Sequence, residues 1–370
     1  MSSLTMEPQK YLDSLAKPAN SLGVLEEWAA TLCKVQSTLK PKVDSMSILV
    51  FCADHGIKKD DFEISPYPQS VTQAVFRALA AGVSGTATLS RSVGAHLTIV
   101  DCGIDGDVTD VNKDGKKNSL NSHVSVVHKK ISHGTANITR APAMTAKQLD
   151  NALQIGGSCV LLEAQDRKAS VVGIGEAGIG NTTIASALLC ALTGSTAEAC
   201  CGRGTGLDEE GLTYKIKRVG EACTCHQENF SGISNEANRT REILRCLGGF
   251  EIAAMVGAYL KAHECGVVAM VDGFISAVAA LCAIKMQPQC RSNLVFATAL
   301  EEEPKAPTGG RILANALGNP QPALSMKLCL GEASAAALAL PILRASAEMV
   351  SSMATLEDVL KLMPPADSSM

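Results

Sequence analysis

The sequence predicts a three-layer α/β/α fold with a mostly parallel, Rossmann-like sheet, plus a small helical domain built from the two ends of the chain. Three observations carry that expectation. The 370 residues are 46% hydrophobic but only 3% aromatic, so the interior is built from Ala, Val, Leu and Ile, which suits helices packed on a parallel sheet. Short apolar β-rich runs recur, each closed by a polar or glycine turn. Ala- and Leu-rich helical stretches lie between them, and strands that alternate with helices imply a sheet covered on both faces.

Taken in chain order, "YLDSLAKPANSLGVLEEWAATLCKVQ" reads as helix, so residues 1–40 open the small helical domain. Strand "SILVFCA" then runs into Asp54-His55-Gly56, and "LTIVD" ends before Cys102-Gly103. Residues 104–123 and 226–240 read as polar loops. "SVVGIG" leads to Glu176 and the helix "TTIASALLCAL", and "GFEIAAMVGAYLKA" is a further helix. "VVAMV" ends at Asp272-Gly273 before "ISAVAALCAIK", and "NLVFA" ends at Thr298. The tail "ASAAALALPILRASAEMVSSMATLEDVLKLM" places 331–370 with the first 40 residues, leaving 41–330 as the α/β substrate-binding domain. In such sheets ligands bind beyond the carboxyl ends of the strands, so those turns are the candidate site.

Composition removes several classes of function. A net charge of −4 without a basic run gives no footprint for nucleic acid or an anionic membrane surface. The longest apolar run, "GVVAMVDGFISAVAALCAI", is broken by Asp272-Gly273 and reads as strand, turn and helix rather than a membrane span. The opening "MSSLTMEPQKYLD" has no signal pattern, and the 14 cysteines are scattered, so reduced thiols and a cytoplasmic location are expected. Cys223, Cys225 and His226 lack the spacing of a zinc site. Asp110, Asn112, Asp114 and Gly115 begin like a calcium loop, but Asn121 stands where a bidentate glutamate belongs. No metal is expected.

The stretch "VVGIGEAGIGNTTIAS" poses the chemical question. Gly173, Gly175 and Gly178 have the dinucleotide spacing G-x-G-x-x-G; Gly175, Gly180 and Thr182 have that of a nucleoside-triphosphate loop, with Asn181 in place of the lysine. A pyrophosphate here would lie beside the Glu176 carboxylate, which is unfavourable, and no lysine reaches toward a γ-phosphate. The remaining ligand is a monophosphate at a helix N-terminus, with Glu176 free for sugar hydroxyls; a turn made by glycines alone is the plainer alternative. "CCGRGTGLDEEGLTYKIKR" adds Gly202, Gly204 and Gly206 with Arg203 or Lys215 as the positive charge, so two such turns suggest a ribose-phosphate ligand. Asp54 and Asp272 either hold substrate or brace their turns, and His55 reads as a turn residue.

Ten stretches in order, "KPANSLGVLEEWA", "ADHGI", "SPYPQSVTQ", "DCGID", "GTANITRAPAM", "GEAGIGNTT", "GRGTGLDEEGL", "LGGFEIAAMVGA", "VDGFISAVAAL" and "LGEASAAALALPIL", span nearly the whole chain. By them the chain closely resembles the nicotinate-nucleotide–dimethylbenzimidazole phosphoribosyltransferase family. The resemblance implies transfer of phosphoribose from nicotinate mononucleotide to a benzimidazole nitrogen, with inversion from β to α at the anomeric carbon, no cofactor, and a homodimer. It implies that Glu332 removes the benzimidazole proton and that Glu176 and Lys215 are the family's active-site glutamate and lysine. Gly178, Gly180, Asn181, Thr182, Thr183, Gly202, Gly204 and Asp272 would hold the phosphoribosyl group, and Ser65, Gln73 and neighbouring Tyr67 the aromatic base. Two departures stand out. The family usually reads LGEGTGAA where this chain has "LGEASAAA", and a Ser-His segment after a strand is reduced here to Glu303-Pro304 within "FATALEEEPKAPTGGRILANALG". Those departures leave open a non-catalytic mononucleotide sensor on the same scaffold; a nicotinamide-cofactor dehydrogenase rests on the glycine spacing alone.

Overall fold

A computed structural model describes residues 6–112, 117–301 and 307–363. Asp114, Gly115, Glu303 and Pro304 lie outside these residues. The core is a seven-stranded sheet in the order β3-β2-β1-β4-β5-β6-β7, every neighbouring pair parallel. The strands are β1 Met46–Ala53, β2 His96–Gly103, β3 Val124–His128, β4 Val171–Ala177, β5 Val268–Val271, β6 Leu294–Thr298 and β7 Pro322–Leu324.

Strand periodicity divides the core into two layers. Leu49, Phe51 and Ala53 of β1 face one apolar cluster, which includes Val160, Leu188, Leu244, Met255 and Leu281 from five helices. Ile48, Val50 and Cys52 face the other, with Trp28, Phe76, Leu340 and Leu343. Successive side chains of a strand point to opposite faces, and both faces are covered, so the central strands β1, β2, β4, β5 and β6 are buried and mostly apolar. Helices Val24–Gln36 and Ser334–Ser352 belong to the second layer. The chain ends also meet in a cluster of Leu12, Leu15, Ala29, Cys33 and Val350, with an antiparallel bridge between Leu15 and Thr355.

Residues 226–240, expected as a loop, are mostly helical. Helix Glu209–Ser231 continues through His226 because Lys215, Val219, Ala222, His226 and Phe230 form one buried face. After a break, Asn235 accepts a hydrogen bond from the Asn238 N–H and starts helix Glu236–Leu247. β3 and β7 were not legible as strands; they are short, partly exposed edge strands. No helix among the described residues is long and apolar enough to cross a membrane.

Candidate active site

The connections reverse direction between β1 and β4, the switch point at which the ends of parallel strands diverge and leave a crevice. A cavity of about 280 Å³ opens there, lined by residues from the ends of β4, β5 and β6. The glycines that resemble a dinucleotide motif have other work. A Cβ on Gly173 would lie 2.5 Å from Ile48 Cδ1 and 3.0 Å from Ala336 Cβ, and one on Gly175 would lie 2.2 Å from the Ala333 nitrogen. These two positions let the start of helix Ser334–Ser352 settle onto β4. Gly180 is left-handed, φ 95°, and caps helix Asn181–Thr193, a conformation that favours glycine. Gly178 does line the cavity.

One end of the cavity suits an anion. The helix Asn181–Thr193 starts with no side-chain cap, and the residues Asn181 and Thr182 reach the cavity. Lys215, buried on helix Glu209–Ser231, donates to Thr182 Oγ1 at 2.9 Å and to the Gly202 carbonyl at 3.0 Å. Burial lowers its ammonium to about 8, which leaves it cationic at neutral pH. Gly202 and Gly204 complete this wall. A helix N-terminus beside a buried cation is a site for a phosphate.

Three carboxyl groups converge on the same cavity. Burial drives the Glu176 carboxyl well above its ordinary range, and Glu251, Asp272 and Glu332 push the same way; the Asn181 side-chain amide donates to it. Burial, then Asp272, raises Glu332 to about 7, against the opposing Thr86 hydroxyl. Asp272 rises to about 6 through burial, opposed by backbone N–H groups of Ala336, Ala335 and Ala333. The Ala336 N–H lies 2.9 Å from its Oδ1, so Asp272 braces the start of the C-terminal helix while also lining the cavity. A carboxyl near 7 in a cleft is matched to proton transfer at neutral pH.

A further part of the wall is apolar. Tyr67, Val71, Val75, Leu328, Leu330 and Ile275 frame a slot fit for a flat ring. Of these only Tyr67 was singled out in the sequence; Leu330 stands two residues before Glu332, and Val71 lies inside "SPYPQSVTQ". Four expected residues stand back from the cavity lining. Ser65 offers its carbonyl to Lys58 Nζ at 2.9 Å and its hydroxyl to Thr205 at 3.5 Å. Gln73 donates to the Asp105 carbonyl at 3.3 Å, Thr183 is fully buried, and Gly180 is the cap. His55 pairs with Glu251 at 3.2 Å, both fully buried. His226 has Nε2 2.8 Å from the Ile138 carbonyl and Nδ1 3.2 Å from Asn229, so packing engages both its nitrogens.

Known proteins share this frame. A family model described as phosphoribosyltransferase matches residues 2–359. The nicotinate-nucleotide–dimethylbenzimidazole phosphoribosyltransferase of Pseudomonas putida is 40% identical over 344 residues, covering 92% of this chain and 89% of that one. The enzyme of the same name from Pseudomonas aeruginosa is 40% identical over 345 residues, covering 93% and 90%. A crystal structure of the Thermus thermophilus enzyme superposes with a TM-score of 0.81 at 31% identity, covering 96% of this chain and 98% of that one. The family match over residues 2–359 includes the strands that carry the cavity. The chain belongs to the nicotinate-nucleotide–dimethylbenzimidazole phosphoribosyltransferase family.

Proposed function

We infer that this chain transfers the phosphoribosyl group of nicotinate mononucleotide to dimethylbenzimidazole or a related base, giving α-ribazole phosphate and nicotinate for the lower ligand of a cobamide. The observation that carries the assignment of roles is a single cavity with a phosphate cradle around Lys215 and Thr182 and, on another wall, a Glu332 carboxyl poised near 7.

In this reading the 5′-phosphate rests on the N-terminus of helix Asn181–Thr193 and Lys215, and Glu176 faces the ribose. The base lies in the apolar slot. Glu332 takes the proton from one ring nitrogen, and the electron pair of the other nitrogen attacks the anomeric carbon from the face opposite nicotinate. The bond to the nicotinate nitrogen breaks with its electron pair returning to the pyridinium ring, so the leaving group needs no acid. Attack from the opposite face turns β into α. The oxocarbenium-like transition state is stabilised by carboxylates close to the sugar. No step calls for a metal or cofactor.

A homodimer, which the family resemblance implies, and a cytoplasmic location, expected from the scattered cysteines, are part of the same proposal. The sensor alternative is not favoured, because the relatives bear the name of a transferase. Purified protein given nicotinate mononucleotide and dimethylbenzimidazole is expected to release nicotinate and form α-ribazole phosphate. Calorimetric binding of the mononucleotide without nicotinate release would establish the sensor instead.

A further inference from the structure

β2, β1 and β4 are neighbours in the sheet, and the segments that leave their carboxyl ends are joined by one chain of hydrogen bonds. Asp54, the first residue after β1, is fully buried. Its Oδ2 accepts from the Asp105 N–H, just beyond β2, at 2.8 Å. Its Oδ1 accepts from Thr72 Oγ1 at 2.6 Å. The Thr72 hydroxyl in turn accepts from the Ile179 N–H, beyond β4, at 3.1 Å. Thr72 lies in the first turn of helix Val71–Ala81 and is 1% exposed.

The direction of these bonds matters. A hydroxyl has one proton and can be aimed only once. Because Asp54 accepts that proton, the Thr72 lone pairs are left facing Ile179. Ile179 sits between Gly178 and Gly180 in the turn that opens helix Asn181–Thr193, and Ile179, Asn181 and Thr182 all line the cavity. Asn181 also holds Glu176. One side chain therefore sets the height of the turn that presents the anion cradle and the partner of an active-site carboxylate.

We propose that Thr72, oriented by Asp54, is a positioning residue for the phosphoribosyl donor: it fixes the 178–182 turn through Ile179 and acts on the reaction through that turn. This rests on the transferase reading above. Valine at 72 keeps the branched shape while removing both hydrogen bonds and leaving the Ile179 N–H unsatisfied, a loss worth about tenfold or more in an equilibrium. Thr72 itself lines the cavity between Val71 and Val75, and valine keeps its size there, so the base slot is expected to keep its shape.

The experiment compares the full-length wild type with Thr72→Val, Thr72→Ser and Asp54→Asn, varying the mononucleotide and dimethylbenzimidazole separately. Thr72→Val is expected to raise KM for nicotinate mononucleotide about tenfold or more and to move KM for the base less than about threefold; Thr72→Ser restores the donor KM. Hydrogen exchange on peptides spanning 177–181 is expected to speed up in Thr72→Val and return to normal in Thr72→Ser. Asp54→Asn, which misaims the hydroxyl, shifts both readouts in the same direction and serves if the valine variant does not fold. Equal KM changes for both substrates, a valine variant like the wild type, or a defect that serine does not repair would each overturn the assignment. A wild type that makes no product would end the transferase reading while the exchange comparison still decides on the relay.

Discussion

Two ends of the same sheet treat buried carboxyl groups in opposite ways. Toward the start of the strands, Glu163 is 1% exposed yet fully partnered: Ser47 donates to it at 2.7 Å, Thr98 at 2.8 Å, and Arg167 lies 3.0 Å away. At the other end, buried Glu176 and half-buried Glu332 gather near Asp272, so desolvation and like charge push their carboxyl groups upward. Two hydroxyl donors and a cation fix the Glu163 carboxylate as structure, whereas fewer donors, like charge and, among the described residues, no neighbouring cation raise the proton affinity of Glu176 and Glu332 and ready them for chemistry. What separates a brace from a base is the company of the side chain.

The contrast can be broken most sharply at Glu332. Glu332→Gln is expected to lower kcat by about a thousandfold or more, the scale lost with a required base and its charge. Its thermal midpoint should match or exceed that of the wild type, since a neutral amide costs less to bury. Assay and calorimetry on one preparation check both, and substantial residual turnover would reassign the base.

Glu163→Ala should do the reverse. It strands the Ser47 and Thr98 hydroxyls and frees Arg167, costing about 3 kcal/mol in denaturant unfolding, with kcat and both KM values within about threefold of the wild type. A kinetic defect of equal size would mean that the two ends of the sheet are not independent.

The smallest effect is in the pH dependence. Glu332 must be ionised to take a proton, so kcat/KM should climb about tenfold per unit below about 7 and level off above it until Lys215 begins to lose its charge near about 8. Stability runs the other way. The folded-state values of Glu332, Asp272 and Asp54, about 7, 6 and 6, lie above their ordinary ones. The folded protein therefore holds protons the unfolded chain has released, and these groups contribute stability at acid pH that is lost as pH rises through about 6 to 7. Melting temperatures of the ligand-free protein between pH 5 and 8, corrected against Glu332→Gln, should show that decline.

The central strands were legible because each is buried on both faces and reads as a mostly apolar run. β3 and β7 gave no such run, because an edge strand with partly exposed side chains needs less apolar sequence. The helical course past His226 was hidden by the polar run "HQENFSGISNEANRTRE", although Val219, Ala222, His226 and Phe230 keep helical spacing. Around the cavity, Glu332 was named by resemblance, and Lys215 both by resemblance and, with Arg203, as the positive charge of its glycine-rich turn; nothing near either residue in the sequence reveals that they share a cavity. Gly173 and Gly175 looked like a ligand motif because close approach of a helix and close approach of a phosphate demand the same absent Cβ. Thr72 lies inside "SPYPQSVTQ" but was not singled out there, since its role exists only once three strand ends lie side by side.

The contact between Gly175 and Ala333 has a consequence for how this sequence can change over time. Glu332 and Ala333 both adopt left-handed backbone, φ 59° and 62°, and the family's usual residue at the second of these positions is glycine. The methyl of Ala333 sits where a Cβ on Gly175 would come within 2.8 Å, so the two positions share one small volume. A mutation enlarging either residue must be answered at the other or by a shift of the segment bearing Glu332. Lineages that diverge here inherit a pair of sites that must evolve together.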